Sequence, residues 1–211
     1  MNKIIKIYTT LYKSFGPQHW WPGETPFEIM IGAILTQNTN WKNVEKAISN
    51  IKNKDLLDPF KLNSISNNEL QTLIKPSGFY RLKAKRLKNF LEYFIKDFNG
   101  SIENMKKLDR DKLRDYLLSI KGIGKETADS IILYALSKAI FVVDTYTQRI
   151  LSRHNLIKLG EDYELIQSIF HNTLPENVKL FNEYHALLVK IGKEFCFKNS
   201  PLCDKCPLKH L

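Results

Sequence analysis

The chain has 211 residues, enough to bury a core without help from disulfides or metal. Its longest apolar runs fall well short of the roughly 20 residues that a membrane span needs, and its N-terminus lacks the apolar stretch and small-residue cleavage site of a signal peptide. The expectation is therefore a globular protein at work in the cytoplasm, with no membrane partner. Thirty-two Lys and Arg against 22 Asp and Glu give a formal charge of +10, the electrostatic footprint of a polyanion binder, although charge alone does not separate nucleic acid from other anionic surfaces.

Almost every segment carries helical periodicity, with Gly, Pro and Asn at the joins. Thr25, Pro26 and Glu28 form an N-cap, a proline at the first helical position and a capping box. Phe27, Met30, Ile31, Ile34 and Leu35 then recur at i, i+3, i+4, i+7 and i+8 and predict a core helix. The stretch KPSGFY (75–80) breaks the chain, and RLKAKRLKNFLEYFI predicts a helix that is basic on one face and apolar on the other. Leu113, Tyr116, Leu117 and Ile120 stripe the next helix, which stops at Gly122, and after Gly124 another begins with Ala128, Ile131, Ile132, Ala135 and Leu136 on one face. AIFVV (139–143) has strand propensity but nothing to pair with, so it is read as an extended connector into a helix that starts near Asp144. The expected fold class is all-α, with residues 25–138 as one helical domain and 1–24 plus 139–211 as a second.

Helix, then KGIG (121–124), then helix is the pattern of a helix-hairpin-helix. Glycines let the backbone approach another molecule closely, and the N–H groups at a helix start point outward unsatisfied, so a phosphate can complete them. Lys121, Gly122, Gly124 and Lys125 are the candidate backbone-gripping residues, with Ile123 tucked inward to fix the turn. Taken alone, G-x-G is also an ordinary tight connection between helices. Asp144, 20 residues after Gly124 in VVDT, is by itself a good helix N-cap.

Hairpin and downstream aspartate together resemble the helix-hairpin-helix DNA glycosylase superfamily, from about residue 25 to the C-terminus. The resemblance is closest to the endonuclease-III-like 3-methyladenine DNA glycosylases, through WWP (20–22), FE (27–28), GAILTQNT (32–39), PSGFY (76–80), KAKRL (83–87), KGIGKETAD (121–129) and VVD (142–144). It implies a two-lobed fold with a cleft between lobes, a monomer acting on double-stranded DNA that carries a damaged base, and Asp144 as catalytic residue. It places the protein at the nucleoid of a prokaryote.

In the endonuclease III pattern a Schiff-base lysine sits two residues after the second hairpin glycine. Here that residue is Glu126, and a carboxylate cannot form an imine, so base release without strand cleavage is expected. An ionised carboxylate stabilises the positive charge that builds on the sugar as the glycosidic bond breaks, and an already cationic 3-methyladenine leaves without a strong general acid. The flipped base needs electron-rich aromatic faces: Trp20 and Trp21 are the first candidates, then Phe27 and Trp41, with Glu126 and Lys193 as further pocket residues. Gln37 or Asn38 would fill the space that the flipped nucleotide leaves.

Cys196, Cys203 and Cys206 repeat the start of the C-x6-C-x2-C-x5-C loop of the family, which implies a [4Fe-4S] cluster. A fourth cysteine would be residue 212, so a sequence clipped by one residue, a non-cysteine ligand such as His210 or the terminal carboxylate, a zinc ion in a similar tetrahedral site, or a cluster-free remnant stay open. Two rival readings also remain: the same fold acting on another damaged or mismatched base, and a non-catalytic helix-hairpin-helix module that binds DNA.

Overall fold

The computed structural model describes residues 2–20 and 23–211; Trp21, one of the two paired tryptophans, lies outside them. Among the described residues every regular element is helical. None of these helices is long and apolar enough to cross a membrane. The contacts divide the chain into two compact units, one made of residues 1–20 and 139–211, the other of residues 21–138.

The first unit begins with α1 (Lys3–Phe15), capped by the Asn2 side chain. Residues 137–143 run without helix, as the apolar connector was read, and lead into α10 (Thr145–Arg153), α11 (Tyr163–His171) and α12 (Val178–Glu194). Phe141 is the keystone of this core: its ring stacks on Phe170 at 3.6 Å between centroids and meets Phe181 and Tyr184 edge-on. Tyr184, fully buried, donates to the carbonyl of Ile4 at 2.8 Å and so fastens α1 to α12.

The second unit holds α2 (Pro26–Leu35), α3 (Trp41–Lys52), α4 (Pro59–Ser64), α5 (Asn67–Ile74), α6 (Tyr80–Phe98), α7 (Ile102–Lys106), α8 (Arg110–Ser119) and α9 (Lys125–Ser130). Helix α2 is buried along almost its whole length, and its Thr25 cap accepts from the Glu28 N–H. Glu28 differs from a simple capping box: its carboxylate accepts from the Glu24 N–H and pairs with Lys52 at 2.9 Å. The apolar stripe predicted after Gly124 is helical as far as Ala135 but changes pitch, because Ile131–Ala135 form a π-turn with the Leu136 N–H donating to the Ile131 carbonyl. Such widened turns are rare and mark places where a helix yields to another demand; here the chain leaves through Ser137 in a left-handed conformation.

Candidate functional site

In the second unit, α8 and α9 form the hairpin. The Nε of Arg114 on α8 donates to the fully buried carboxylate of Asp129 on α9 at 2.7 Å, which locks the two helices together. Ile123 is 5 % exposed and its N–H donates to the Ile120 carbonyl, so the turn folds inward on its apolar residue. The two glycines have different reasons to be there. Gly122 has φ +104° and a Cβ on it would meet Arg86 Cγ at 2.4 Å, so both backbone and space demand glycine. Gly124 has φ −96° and open space where a Cβ would stand, so the fold does not require glycine there. It is the N-cap of α9 and makes no side-chain capping bond, unlike Thr25, Asn40 and Asp109 at the starts of α2, α3 and α8. Lys121 and Glu126 are exposed and Lys125 half-buried.

The loop between α2 and α3 is tied to this hairpin. The Gln37 amide donates to the Gly122 carbonyl at 3.1 Å and to Thr127 Oγ1 at 3.0 Å, and its oxygen accepts from Arg86. Asn38 is exposed at φ +55°. Lys83, 1 % exposed, donates to the carbonyls of Leu35 at 2.8 Å and Ser77 at 2.6 Å, which joins this loop to the turn before α6. Burial, reinforced by Arg86, pulls its ammonium down to about 8.

Phe79, in that turn, is 67 % exposed and adopts φ +46°, a backbone that bulky residues rarely take. Trp41 is half-buried with its ring against Gly32. Phe27 is 7 % exposed, and its ring lies near-parallel to that of Phe94 with 6.2 Å between centroids.

In the first unit Asp144 is the N-cap of α10. Its Oδ1 accepts from the Thr147 N–H at 2.7 Å and from the Thr147 hydroxyl at 2.8 Å, while its Oδ2 lies 3.5 Å from His185 Nε2 on α12. At that distance the His185 contact is chiefly electrostatic. The carboxyl is 7 % exposed. Burial opposes its ionised form, but His185 and the two Thr147 bonds more than offset this and hold it below the ordinary carboxylate value. The ring of Trp20 lies 5.7 Å from that of His185, centroid to centroid, and Lys193 is exposed near the end of α12.

His185 is the residue beside Asp144 that sequence reasoning missed. Nothing local marks it, since its meaning comes from a residue 41 positions earlier.

All three cysteines are free thiols. The thiol of Cys196 accepts from Arg153 at 3.0 Å, and Arg149 holds the Cys196 carbonyl at 2.7 Å. Burial, then the neighbouring Cys196 and Cys203, push the Cys206 thiol up. These residues supply three thiols, and no group of three or more His, Cys, Asp or Glu among the described residues is arranged to hold a metal. Cys196, Cys203 and Cys206 are the residues that would hold part of the cluster implied by the cysteine spacing.

A helical hairpin in one unit and a capped, ionised aspartate in the other are the marks of a helix-hairpin-helix base-excision enzyme. The family described as HhH-GPD superfamily base excision DNA repair protein matches residues 31–176, and the chain belongs to it. A Methanocaldococcus jannaschii protein assigned as a DNA repair glycosylase is 51% identical over 98% of this chain and 94% of its own. The endonuclease III of Thermotoga maritima is 30% identical, covering 88% of this chain and 81% of that one. Among solved structures, the H. pylori 3-methyladenine DNA glycosylase MagIII bound to 1,N6-ethenoadenine matches at 33% identity with a TM-score of 0.75, over 92% of this chain and 98% of that one. An endonuclease III–DNA covalent intermediate has the same fold, with a TM-score of 0.85 at 24% identity over 99% and 93% of the two chains. The protein is thus an all-α DNA repair glycosylase of the helix-hairpin-helix superfamily.

Proposed function

We propose that this glycosylase is monofunctional and hydrolyses the N-glycosidic bond of alkylated purines such as 3-methyladenine in double-stranded DNA. The observation that carries the reading is the Asp144 carboxylate: buried, capped and held ionised beside His185. Oδ1 carries both Thr147 bonds and Oδ2 lies against His185, an arrangement that holds negative charge for a developing cation to meet. As the bond from C1′ to the base nitrogen breaks, its electron pair leaves with the base. A methylated, cationic purine departs as a neutral molecule and asks no acid of the protein. Water then adds to C1′ and releases its proton to the solvent, and Asp144 stabilises the oxocarbenium character between the two events.

Three features support the finer assignments. Glu126 stands where a Schiff-base lysine would be needed and cannot form an imine. Trp20 brings an aromatic face to within 5.7 Å of His185, and a cationic, flat base is drawn to such a face by stacking and cation–π attraction. MagIII, 33% identical, is by name a 3-methyladenine glycosylase. Lys193 is assigned a contact to the bound base, and Lys121, Gly122, Gly124 and Lys125 the grip on the DNA backbone. No step draws on the cysteine tail.

The test is a panel of duplexes, each with one defined lesion, with free base and strand breaks measured separately. The expected result is base release from the 3-methyladenine duplex and no break until alkali is added. Breaks without alkali would overturn the monofunctional reading, and release confined to an oxidised pyrimidine or a mismatched thymine would overturn the substrate class.

A further inference from the structure

The chain that follows α1 meets α12 in step with it: Gln18 contacts Glu183, and two positions further along both segments Trp20 contacts His185. We infer that Glu183 is a positioning residue for base recognition, which holds this N-terminal arm on α12 so that Trp20 stands against the histidine that flanks the Asp144 carboxylate. This rests on the assignment of Trp20 to the base pocket above and deepens it.

The arm is fastened at three points. At its start the Phe15 ring lies 6.0 Å from that of Phe195, just past the end of α12, with the Lys190 ammonium 5.3 Å from its centroid. In the middle the Gln18 N–H donates to Glu183 Oε1 at 2.8 Å, while the Gln18 amide donates to the carbonyls of Gly16 at 2.9 Å and Phe15 at 3.3 Å. The bond to Glu183 spans 165 residues of sequence and goes to a carboxylate, whereas the two amide bonds are local and shape the arm without attaching it to α12. At its end Trp20 is half-buried, its ring 5.7 Å from that of His185 and tilted by 45°.

Between the last two points His19 takes φ +48°. A left-handed residue persists only where its surroundings over-determine it, and here the fixtures are Gln18 on one side and Trp20 on the other. Without the Glu183 bond His19 is free to relax to an ordinary backbone and to carry Trp20 away from His185. The consequence reaches the carboxylate, because His185 is shared: its Nε2 lies 3.5 Å from Asp144 Oδ2. Aromatic ring and catalytic carboxylate are thus referred to one side chain of α12, and Glu183 keeps the ring there.

Two measurements on the full chain test this. With Trp21→Phe and Trp41→Phe in place the remaining tryptophan fluorescence is that of Trp20, and its quenching by acrylamide reads whether the ring is held. Calorimetry with the 3,9-dimethyladeninium cation, which carries the charge of the lesion without the sugar, reads the pocket apart from the grip on DNA. Glu183→Ala is expected to raise the quenching and to weaken cation binding about tenfold, as Trp20→Ala does, with the double variant no weaker than Trp20→Ala alone. Glu183→Gln, whose amide oxygen still accepts from the Gln18 N–H, is expected to match wild type in both. A Glu183→Ala protein that melts lower but keeps wild-type quenching and cation affinity, or a Glu183→Gln protein as impaired as Glu183→Ala, overturns the inference while leaving Trp20 in the pocket. Unchanged cation affinity in Trp20→Ala, or a wild type that does not bind the cation, overturns the pocket assignment itself and the inference with it.

Discussion

Gly192 lies directly beneath the ring of Tyr146: a Cβ on this glycine would stand 2.3 Å from Tyr146 Cδ1 and 2.8 Å from its Cβ. The contact presses α12 against α10 two residues after Asp144, and Arg149 seals it by donating to the Gly192 carbonyl at 3.2 Å with its guanidinium 4.9 Å over the Tyr146 ring. Gly192→Ala is expected to cost roughly 1–3 kcal/mol of stability through overpacking and to slow base release more than it weakens DNA binding. Denaturant unfolding and single-turnover kinetics check this; a variant that keeps both wild-type stability and rate would show that α10 tolerates the displacement.

The Asp144 carboxyl titrates below its ordinary value of 3.8 in the folded protein. A depressed folded pKa means that the ionised group stabilises the fold above the unfolded pKa, and that this contribution is lost as pH falls through the folded value. Melting temperature should therefore drop in acid more for wild type than for Asp144→Asn. Asp144→Asn should also lose about 10²-fold or more in base release while keeping its DNA affinity. His185→Asn removes a group that holds the carboxylate ionised, so the acid limb of the rate profile should move to higher pH. A limb that stays in place would show that His185 only fills space.

The two hairpin glycines should respond differently to alanine. Gly122→Ala meets both a left-handed backbone and Arg86 Cγ at 2.4 Å, and is expected to destabilise by roughly 2 kcal/mol or more. Gly124→Ala meets open space at φ −96°, so it should melt like wild type yet bind duplex DNA more weakly, because its methyl group stands where a phosphate must approach. Binding by the wild type should fall with salt at a slope of about −0.9 per phosphate neutralised. Equal affinity for Gly124→Ala and wild type would remove this residue from the DNA-gripping surface.

Alkylation of the folded protein should modify Cys203 first, since it is exposed, then the half-buried Cys206, and Cys196 last, since it is 9 % exposed and bonded to Arg153. Mass spectrometry over a time course reads the order. Protection of all three until a chelator or oxidant is added would show that a metal holds them and that the tail rearranges to do so.

The local grammar of the fold was legible. Thr25 and Pro26 start α2, Gly122 and Gly124 bound the hairpin, and Asp144 caps α10, because each of these signals lies within four residues of what it controls. Long-range pairings were not legible. Glu28 turns to Lys52, Lys83 reaches back 48 residues to Leu35, and His185 meets Asp144 only once α12 has packed on α10. Phe27 shows the complementary limit: periodicity marks an aromatic as inward-facing but does not say whether the interior is a core or a pocket. The pitch change at Ile131–Ala135 has no signature in the apolar pattern, since one extra residue per turn leaves a fully buried stripe still buried.

The bond from the Tyr184 hydroxyl to the Ile4 carbonyl closes a loop of 180 residues. A ribosome delivers α1 before the second unit and α12 after it, so α1 waits with its apolar face uncovered while that unit emerges as one unbroken stretch. Assembly of the unit that carries Asp144 is thereby deferred until α12 has emerged, and a chain released before that point acquires the hairpin without the aspartate's finished surroundings.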